Sequence, residues 1–65
     1  MNTVLKNIRE KKGFTQVQVA EKAQISETSY QRIEYGVQNP SLKTAQPIAK
    51  TLNSSVEELF PLSGS

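Results

Sequence analysis

Four polar side chains, Glu27, Thr28, Gln31 and Arg32, have the types and the spacing to bind a ligand through hydrogen bonds. On a helix, residues four apart share a face, so Glu27 lies with Gln31 and Thr28 lies with Arg32. Arginine can donate two hydrogen bonds to guanine, glutamine can pair with adenine, and threonine can bond a base or contact the thymine methyl group. A solvated helix face has the same composition, so the pattern permits base recognition without requiring it.

The residue inventory argues against an enzyme. The 65 residues include no histidine, no cysteine and no aspartate. Without histidine, the chain lacks the usual general base near neutral pH and the commonest metal ligand. Without cysteine, it lacks disulfides, thiolate metal sites and a thiol nucleophile. We therefore predict no catalytic residue, no metal and no cofactor.

Charge and hydropathy also limit the class of protein. The net charge is +2, and Lys6, Arg9, Lys11 and Lys12 are crowded near the N-terminus. This asymmetry permits contact with phosphates, but a solvated helix face is the preferred explanation of the charges alone. No apolar run approaches the roughly 20 residues that span a bilayer, and no signal peptide is recognisable. We expect a cytoplasmic protein with no membrane contact and no evident small-molecule ligand.

Five helices are predicted as the elements that position these side chains, and no segment alternates as a strand would, so the predicted fold class is all-α. The predicted helices cover residues 3–12, 16–23, 27–35, 42–52 and a short final segment at 56–60. Thr15 and Gln18 have the spacing of a capping box, as do Ser55 and Glu58. Gly13 suits a Schellman motif at the end of the first helix.

The apolar spacing predicts which residues face the core. The predicted set is Val4, Leu5, Ile8, Val19, Ala20, Ala23, Ile25, Tyr30, Ile33, Leu42, Ala45, Ile48, Ala49, Leu52, Val56, Leu59 and Phe60. Pro47 lies beyond the first turn of the fourth helix, where proline costs about 3 kcal/mol. We therefore expect either a kink in that helix or a late start of its regular part.

The second helix, the short turn and the third helix have the order of a helix-turn-helix, although any helical bundle contains helix pairs. The segments LKNIREKKGFTQVQVAEKAQIS, SYQRIEYGVQNPSL and IAKTLNSSVEELF resemble the phage-repressor class of helix-turn-helix domains, the Cro-like or Xre-like family. The resemblance covers nearly the whole chain. Its motifs are GFTQ opening the second helix, Ala20 within it, IE-x-G ending the third, NPS opening the fourth, and the closing VEELF.

This resemblance implies a compact five-helix domain over residues 4–60, with the helix-turn-helix at about 16–35 and a flexible tail at 61–65. It also implies binding to a double-stranded DNA operator, usually as a dimer. Two positions depart from the family pattern. Gln24 replaces the usual glycine of the turn, where a left-handed backbone would cost roughly 1–2 kcal/mol. Pro47 is unusual in the fourth helix.

The resemblance further implies roles for individual positions. The residues that match base-contacting positions are Glu27, Thr28 and Arg32, with Gln31 beside them. Those that match phosphate-contacting positions are Gln16, Tyr35, Gln38, Asn39 and Lys43. Arg9 and Glu34 match a structural ion pair between the first helix and the end of the third. Apart from the resemblance, Leu59, Phe60 and Leu62 are the weaker candidates for a dimer interface, because they are apolar and close to the C-terminus.

We therefore interpret the sequence as a sequence-specific transcription regulator, a repressor that binds an inverted-repeat operator as a homodimer at the nucleoid. The alternative is a protein-interaction module, such as an antitoxin-like or antirepressor subunit, with Phe60 and Leu62 as contacts. The outer face of the third helix favours DNA, because it is polar and lacks an apolar anchor. Salt dependence separates the two, since phosphate binding weakens steeply as salt increases.

Overall fold

The computed structural model describes residues 2–61, which form five α-helices and no strand. The helices are α1 (Thr3–Lys11), α2 (Gln16–Ala23), α3 (Glu27–Glu34), α4 (Leu42–Thr51) and α5 (Val56–Leu59). The predicted all-α class and the helix order are confirmed. The expected tail, 61–65, lies outside the described residues except for Pro61. Within residues 2–61, no helix is long and apolar enough to cross a membrane.

Each helix begins at a side chain that caps its first turn. The predicted capping box at α2 is complete: the Thr15 hydroxyl accepts from the Gln18 N–H at 3.2 Å, and the Gln18 side-chain oxygen accepts from the Thr15 N–H at 2.8 Å. Asn2, Ser26 and Ser41 cap α1, α3 and α4. At α5 only half of the predicted box forms, because Ser55 accepts from the Glu58 N–H at 3.1 Å and, among the described bonds, none returns from Glu58.

The first four helices each end at a residue with a left-handed backbone, namely Gly13, Gln24, Gly36 and Asn53. After α1, the Phe14 N–H donates to the Arg9 carbonyl at 3.1 Å and the Gly13 N–H donates to the Glu10 carbonyl at 3.0 Å. These are the two bonds of a Schellman motif, which satisfies carbonyls that the helix itself leaves unpaired. The same pair of bonds follows α2, α3 and α4. The predicted motif at Gly13 is confirmed, and it recurs along the chain.

Gln24 has a φ of 62° and a ψ of 41°, so a residue that carries a β-carbon has a left-handed backbone conformation. We expect Gln24→Gly to raise the free energy of unfolding by about 1 kcal/mol, because the strain is removed and only part of that gain is lost to glycine's greater freedom in the unfolded chain. Lys22→Gly is the matched control. It lies in the last turn of the same helix, where glycine should lower the free energy of unfolding by about 1 kcal/mol. Urea denaturation measures both, and an equal loss in the two variants would contradict the prediction.

The core lies between the helices, and its fully buried residues include Leu5, Val19, Tyr30, Ile48, Leu52 and Leu59. Most of the residues predicted to face inward do so. Two expectations were wrong: Val4 is 42% exposed and Leu42 is 62% exposed. Each lies in the first turn of its helix, although Leu5 in the same turn as Val4 is fully buried. Helical spacing alone cannot show that no neighbouring element covers such a position.

Pro47 lies inside α4 without delaying it, since the helix runs unbroken from Leu42 to Thr51. Of the two expected outcomes, the late start of the regular helix does not occur, and the kink stays a prediction. Proline removes the N–H that would donate to the carbonyl four residues earlier, which belongs to Lys43. Pro47 is the sixth of the ten residues of α4, so the lost bond is an interior one, and the side chains of Ala45, Ile48 and Ala49 still reach the core.

Asn2 joins the start of α1 to the ends of two other helices. Its side-chain oxygen accepts from the Leu5 N–H at 3.0 Å, and its side-chain nitrogen donates to the Leu59 carbonyl at 2.7 Å. Its backbone N–H donates to the Glu34 carbonyl at 2.8 Å. We call these three bonds the Asn2 latch. Sequence analysis did not identify it, although asparagine immediately before a helix is a recognised N-cap signal.

Candidate nucleic-acid interface

Helix α3 divides into a buried face and an outer face. Tyr30, Ile33 and Glu34 are buried, each with at most 2% of its surface exposed. The four residues matched to base-contacting positions lie elsewhere on the helix: Glu27, Thr28 and Arg32 are exposed and Gln31 is half-buried. The outer face is thus polar, and the residues that hold α3 in the fold are different from those it presents outward.

Arg9 and Glu34 form a bidentate ion pair between α1 and the last turn of α3. The Arg9 Nε donates to Glu34 Oε1 at 2.8 Å, and a terminal nitrogen, Nη2, donates to Oε2 at 3.3 Å. The remaining terminal nitrogen, Nη1, donates to the Phe14 carbonyl at 2.8 Å, in the turn between α1 and α2. Both charged side chains are buried, with 10% of the Arg9 side chain and 1% of the Glu34 side chain exposed. The pair therefore fixes three segments relative to one another.

Two further donors converge on the Glu34 carboxylate. The Tyr30 hydroxyl donates to Oε1 at 2.9 Å, and the Gln16 side-chain nitrogen donates to Oε2 at 2.6 Å. With Arg9, they bring four hydrogen bonds to one carboxylate from α1, α2 and α3 itself. In residues 2–61, no buried side-chain nitrogen or oxygen lacks a hydrogen-bond partner. The start of α2 and the end of α3 are therefore held by a single buried charge.

The electrostatic state of this cluster follows from its contacts. Burial raises the pKa of the Glu34 carboxyl. The hydrogen bonds from Arg9, Gln16 and Tyr30 together lower it by more than burial raises it, so the net pKa is below its ordinary value. Burial, and then the neighbouring Glu34 charge, raise the pKa of the Tyr30 hydroxyl. The hydrogen bond to Glu34 raises the pKa of Arg9 despite its burial. Near neutral pH the carboxylate is therefore ionised and the tyrosine is a neutral donor.

A short row of side chains leads from Glu34 to the outer face of α3. The Gln16 side-chain oxygen accepts from Gln31 Nε2 at 3.3 Å. The same nitrogen of Gln31 lies 3.4 Å from Glu27 Oε2. We call the series Glu34, Gln16, Gln31 and Glu27 the amide row. It places Gln16 between the buried ion pair and the outer face, where it braces α3, a role that the family resemblance implies for this position beside a phosphate contact.

The other positions matched to phosphate contacts flank α3 at its C-terminal end. Tyr35 caps the helix and is 46% exposed, and Gln38 and Asn39 are exposed in the following loop. Lys43 is exposed in the first turn of α4. Of all the positions matched to phosphate contacts, Gln16 at the start of α2 is the one whose side chain, among the described hydrogen bonds, contacts the outer face of α3, through Gln31.

The three residues expected at a dimer interface differ in how far they are buried. Leu59 is fully buried in the core, so the expectation that its side chain contacts a partner was wrong. Its position in the last turn of α5 faces the other helices rather than solvent. Phe60 is half-buried and packs against the same core. Leu62 lies outside the described residues. Within the described part of the chain, no group of three or more acidic, histidine or cysteine side chains is placed so that it could hold a metal ion.

Comparisons with known proteins show which proteins have a similar sequence and a similar fold. A family model named HTH_3 and described as helix-turn-helix matches residues 5–59. Two proteins of Archaeoglobus fulgidus, each named an uncharacterized HTH-type transcriptional regulator, are similar to this chain. One is 37% identical over 60 residues, which cover 92% of this chain and 86% of that protein. The other is 35% identical over 60 residues, which cover 92% and 84% respectively.

Solved structures of SinR are also similar. The N-terminal DNA-binding domain of SinR from Bacillus subtilis matches with a TM-score of 0.83 and 28% identity, over 98% of this chain and 94% of that one. A second structure shows SinR, described as the master regulator for biofilm formation, in complex with DNA. It matches with a TM-score of 0.82 and 30% identity, over 91% of this chain and 98% of that one. A SinR–SinI complex matches with a TM-score of 0.81 and 30% identity over 92% of this chain, which spans 59% of the matched chain.

Proposed function

This chain belongs to the HTH_3 helix-turn-helix family, the Xre-like and Cro-like class, and we propose that it is a repressor whose homodimer binds an inverted-repeat operator. Family membership makes it a transcription regulator with a DNA-binding fold, and not an enzyme. The observation that best supports sequence-specific DNA binding is the outer face of α3. Its polar residues are exposed beside a buried ion pair that fixes the helix, as a rigid reading element requires.

We propose that α3 enters the major groove and that its outer face contacts base edges. Arg32 would donate two hydrogen bonds to guanine, and Thr28, one turn earlier on the same face, would contact a base or a thymine methyl group. Glu27 would accept from the amino group of cytosine, which must offset its repulsion by phosphates. The similarity to SinR, whose structure was solved in complex with DNA, supports DNA binding by this fold.

The residues around α3 would bind phosphates and so fix the position of the domain on the duplex. These residues are Gln16, Tyr35, Gln38, Asn39 and Lys43, all of them polar and either exposed or half-buried. Gln16 lies in the first turn of α2, where free backbone N–H groups and the helix dipole also favour an anion. Their contribution would be independent of sequence and sensitive to salt.

Dimerisation is proposed to use the segment after α5, with Phe60 and Leu62 as apolar contacts from each protomer. A two-fold dimer would place its two recognition helices about 34 Å apart, one turn of DNA, and so require an inverted repeat. Repression would follow from occupancy, because a dimer across both half-sites excludes other proteins from the same DNA. The functional unit proposed is the domain at residues 4–60, acting in the cytoplasm on nucleoid DNA.

The test is selection of operators from random double-stranded DNA, followed by binding measurements on the selected sequence and on a scrambled duplex of equal composition. We expect an inverted repeat whose half-site centres lie about 10 base pairs apart, bound by two chains with cooperativity. Affinity for both duplexes should fall as salt increases, and the selected one should remain preferred.

Analytical ultracentrifugation of the complex gives the stoichiometry. Binding of single chains to isolated half-sites without cooperativity would exclude the dimer and leave the DNA-binding function standing. If no sequence is enriched even at low salt, the protein does not read DNA.

A further inference from the structure

We propose that Gln31 reads the operator as a hydrogen-bond acceptor only, because the amide row fixes the direction of its side-chain amide. This inference rests on the proposed function and adds to it the class of base that one position accepts. Gln31 would take a hydrogen bond from the amino group of adenine or cytosine, and Gln16 would be the positioning residue that imposes this choice.

The argument begins at the buried carboxylate. Glu34 is ionised, so its two oxygens can accept hydrogen bonds but cannot donate them. The Gln16 side chain approaches Oε2 at 2.6 Å, and only its amino end can donate at that distance. The opposite orientation would bring a carbonyl oxygen against a buried negative charge. The oxygen of the Gln16 amide must therefore point away from Glu34.

The orientation of the Gln16 amide in turn fixes the orientation of the Gln31 amide. The Gln16 oxygen accepts at 3.3 Å, so Gln31 must turn its own amino group toward α2. The second neighbour of that nitrogen is the Glu27 carboxylate at 3.4 Å, which also only accepts. A primary amide carries two N–H groups, and we assign one of them to each of these two acceptors. The Gln31 oxygen is the group that remains for a ligand.

This polarity restricts what Gln31 can recognise in a major groove. A glutamine that is free to turn pairs with adenine through two bonds, accepting from N6 and donating to N7. With both N–H groups engaged inside the protein, only the first of those bonds is available. Cytosine offers an equivalent amino group at N4, whereas guanine and thymine present only acceptors on this edge. Gln31 should therefore accept adenine or cytosine and discriminate against guanine and thymine.

The first test uses all single-base variants of the selected operator. The position where Gln31→Ala removes base preference is the one that Gln31 contacts. At that position the wild-type protein should bind the adenine and cytosine variants within about threefold of each other, and the other two about tenfold more weakly. Gln16→Met keeps the side-chain length but removes the acceptor, which frees one N–H of Gln31. Adenine should then be preferred over cytosine by about tenfold.

Lys43→Met is the matched control, because it removes a proposed phosphate contact outside the amide row. It should weaken binding to all variants alike and leave the adenine-to-cytosine ratio unchanged. Loss of a phosphate contact at Gln16 would likewise weaken every variant equally, so only a change in that ratio supports the inference. A wild-type preference for guanine or thymine, or an unchanged ratio in Gln16→Met, would overturn it.

The second test needs no DNA. In NMR spectra of the free protein, the side-chain amide protons of Gln31 should exchange with water more slowly than those of Gln38, which is exposed in a loop. Gln16→Met should shift and deprotect them, whereas Gln38→Met should leave them unchanged. Free exchange at Gln31 in the wild type would show that the amide row does not hold it. If the row is present but no operator can be selected, the proposed function and the base assignment fail together.

Discussion

Arg9→Met should lower the free energy of unfolding by about 3–5 kcal/mol at neutral pH, the range typical when one partner of a buried ion pair is removed. The reason is the position of Glu34, whose side chain is only 1% exposed and would keep its charge without its main partner. In a domain of this size the total free energy of unfolding is small, so a loss of this magnitude is a large part of it. Urea denaturation followed by circular dichroism measures the change.

Two further variants show that the effect comes from an unpaired charge. Arg32→Met removes an exposed arginine and should change the free energy of unfolding by less than about 0.5 kcal/mol. Adding Glu34→Met to Arg9→Met should recover part of the loss, because the unpaired charge is removed while the buried Tyr30 hydroxyl loses its acceptor. A loss below about 1 kcal/mol in Arg9→Met would mean that the pair behaves as an exposed one.

The stability that Arg9→Met loses should also depend on pH, and the protonation of the Glu34 carboxyl determines the direction of that dependence. In the wild type the folded pKa of Glu34 lies below its unfolded value, so its stabilising contribution is present above the unfolded pKa and disappears as pH falls through the folded pKa. Without Arg9, burial dominates and the pKa of Glu34 should rise. The difference between the two proteins should therefore begin to shrink as pH falls through the raised pKa of Glu34 in the variant, and it should continue to shrink down to the folded pKa of Glu34 in the wild type.

Arg32→Ala should weaken binding to the selected operator by about 1–3 kcal/mol and relax the preference at a single base pair. Arg32 is exposed on the outer face of α3, four residues after Thr28, while Tyr30 and Ile33 face the core. Its guanidinium is free to form a bidentate contact with guanine. Operator variants at several salt concentrations give both the energy and the position.

Lys43→Ala is the matched comparison, since Lys43 lies in the first turn of α4 and outside the reading face. It should weaken binding to all sequences alike and reduce the salt slope by about one unit. If Arg32→Ala weakened every variant equally while Lys43→Ala changed the preference, the two roles would be reversed. If neither mattered in a folded protein, α3 would not be the reading element.

The helices could be predicted from sequence because their signals are local. A cap such as Thr15 and a terminator such as Gly13 act through bonds within a few residues, so their identity and spacing carry the information. Burial was less predictable at Val4 and Leu42, where helical spacing defines a face but not what covers it.

The arrangement around Glu34 could be predicted only in part. The ion pair with Arg9 was expected from resemblance to a family, not from the residues themselves. The bond from Gln16 joins residues 18 apart, and the bond from Gln31 joins residues 15 apart, so both depend on how α2 packs on α3. No local pattern distinguishes these two glutamines from the exposed Gln24 or Gln38. Tertiary structure had to supply that distinction.

The Asn2 latch has a consequence for the order of folding. Its bond to Leu59 joins residues 57 apart in sequence, whereas the Schellman bonds and caps close within a single turn. Closing a longer loop costs more chain entropy, so contacts of this separation tend to form after the local ones have shortened the path between them. The two long-range bonds of the latch, from Asn2 to Glu34 and Leu59, should therefore form last during folding and break first during unfolding, whereas its bond to the Leu5 N–H is a local cap. The attachment of α1 to the ends of α3 and α5 would then govern how long the native state survives rather than how quickly it is reached.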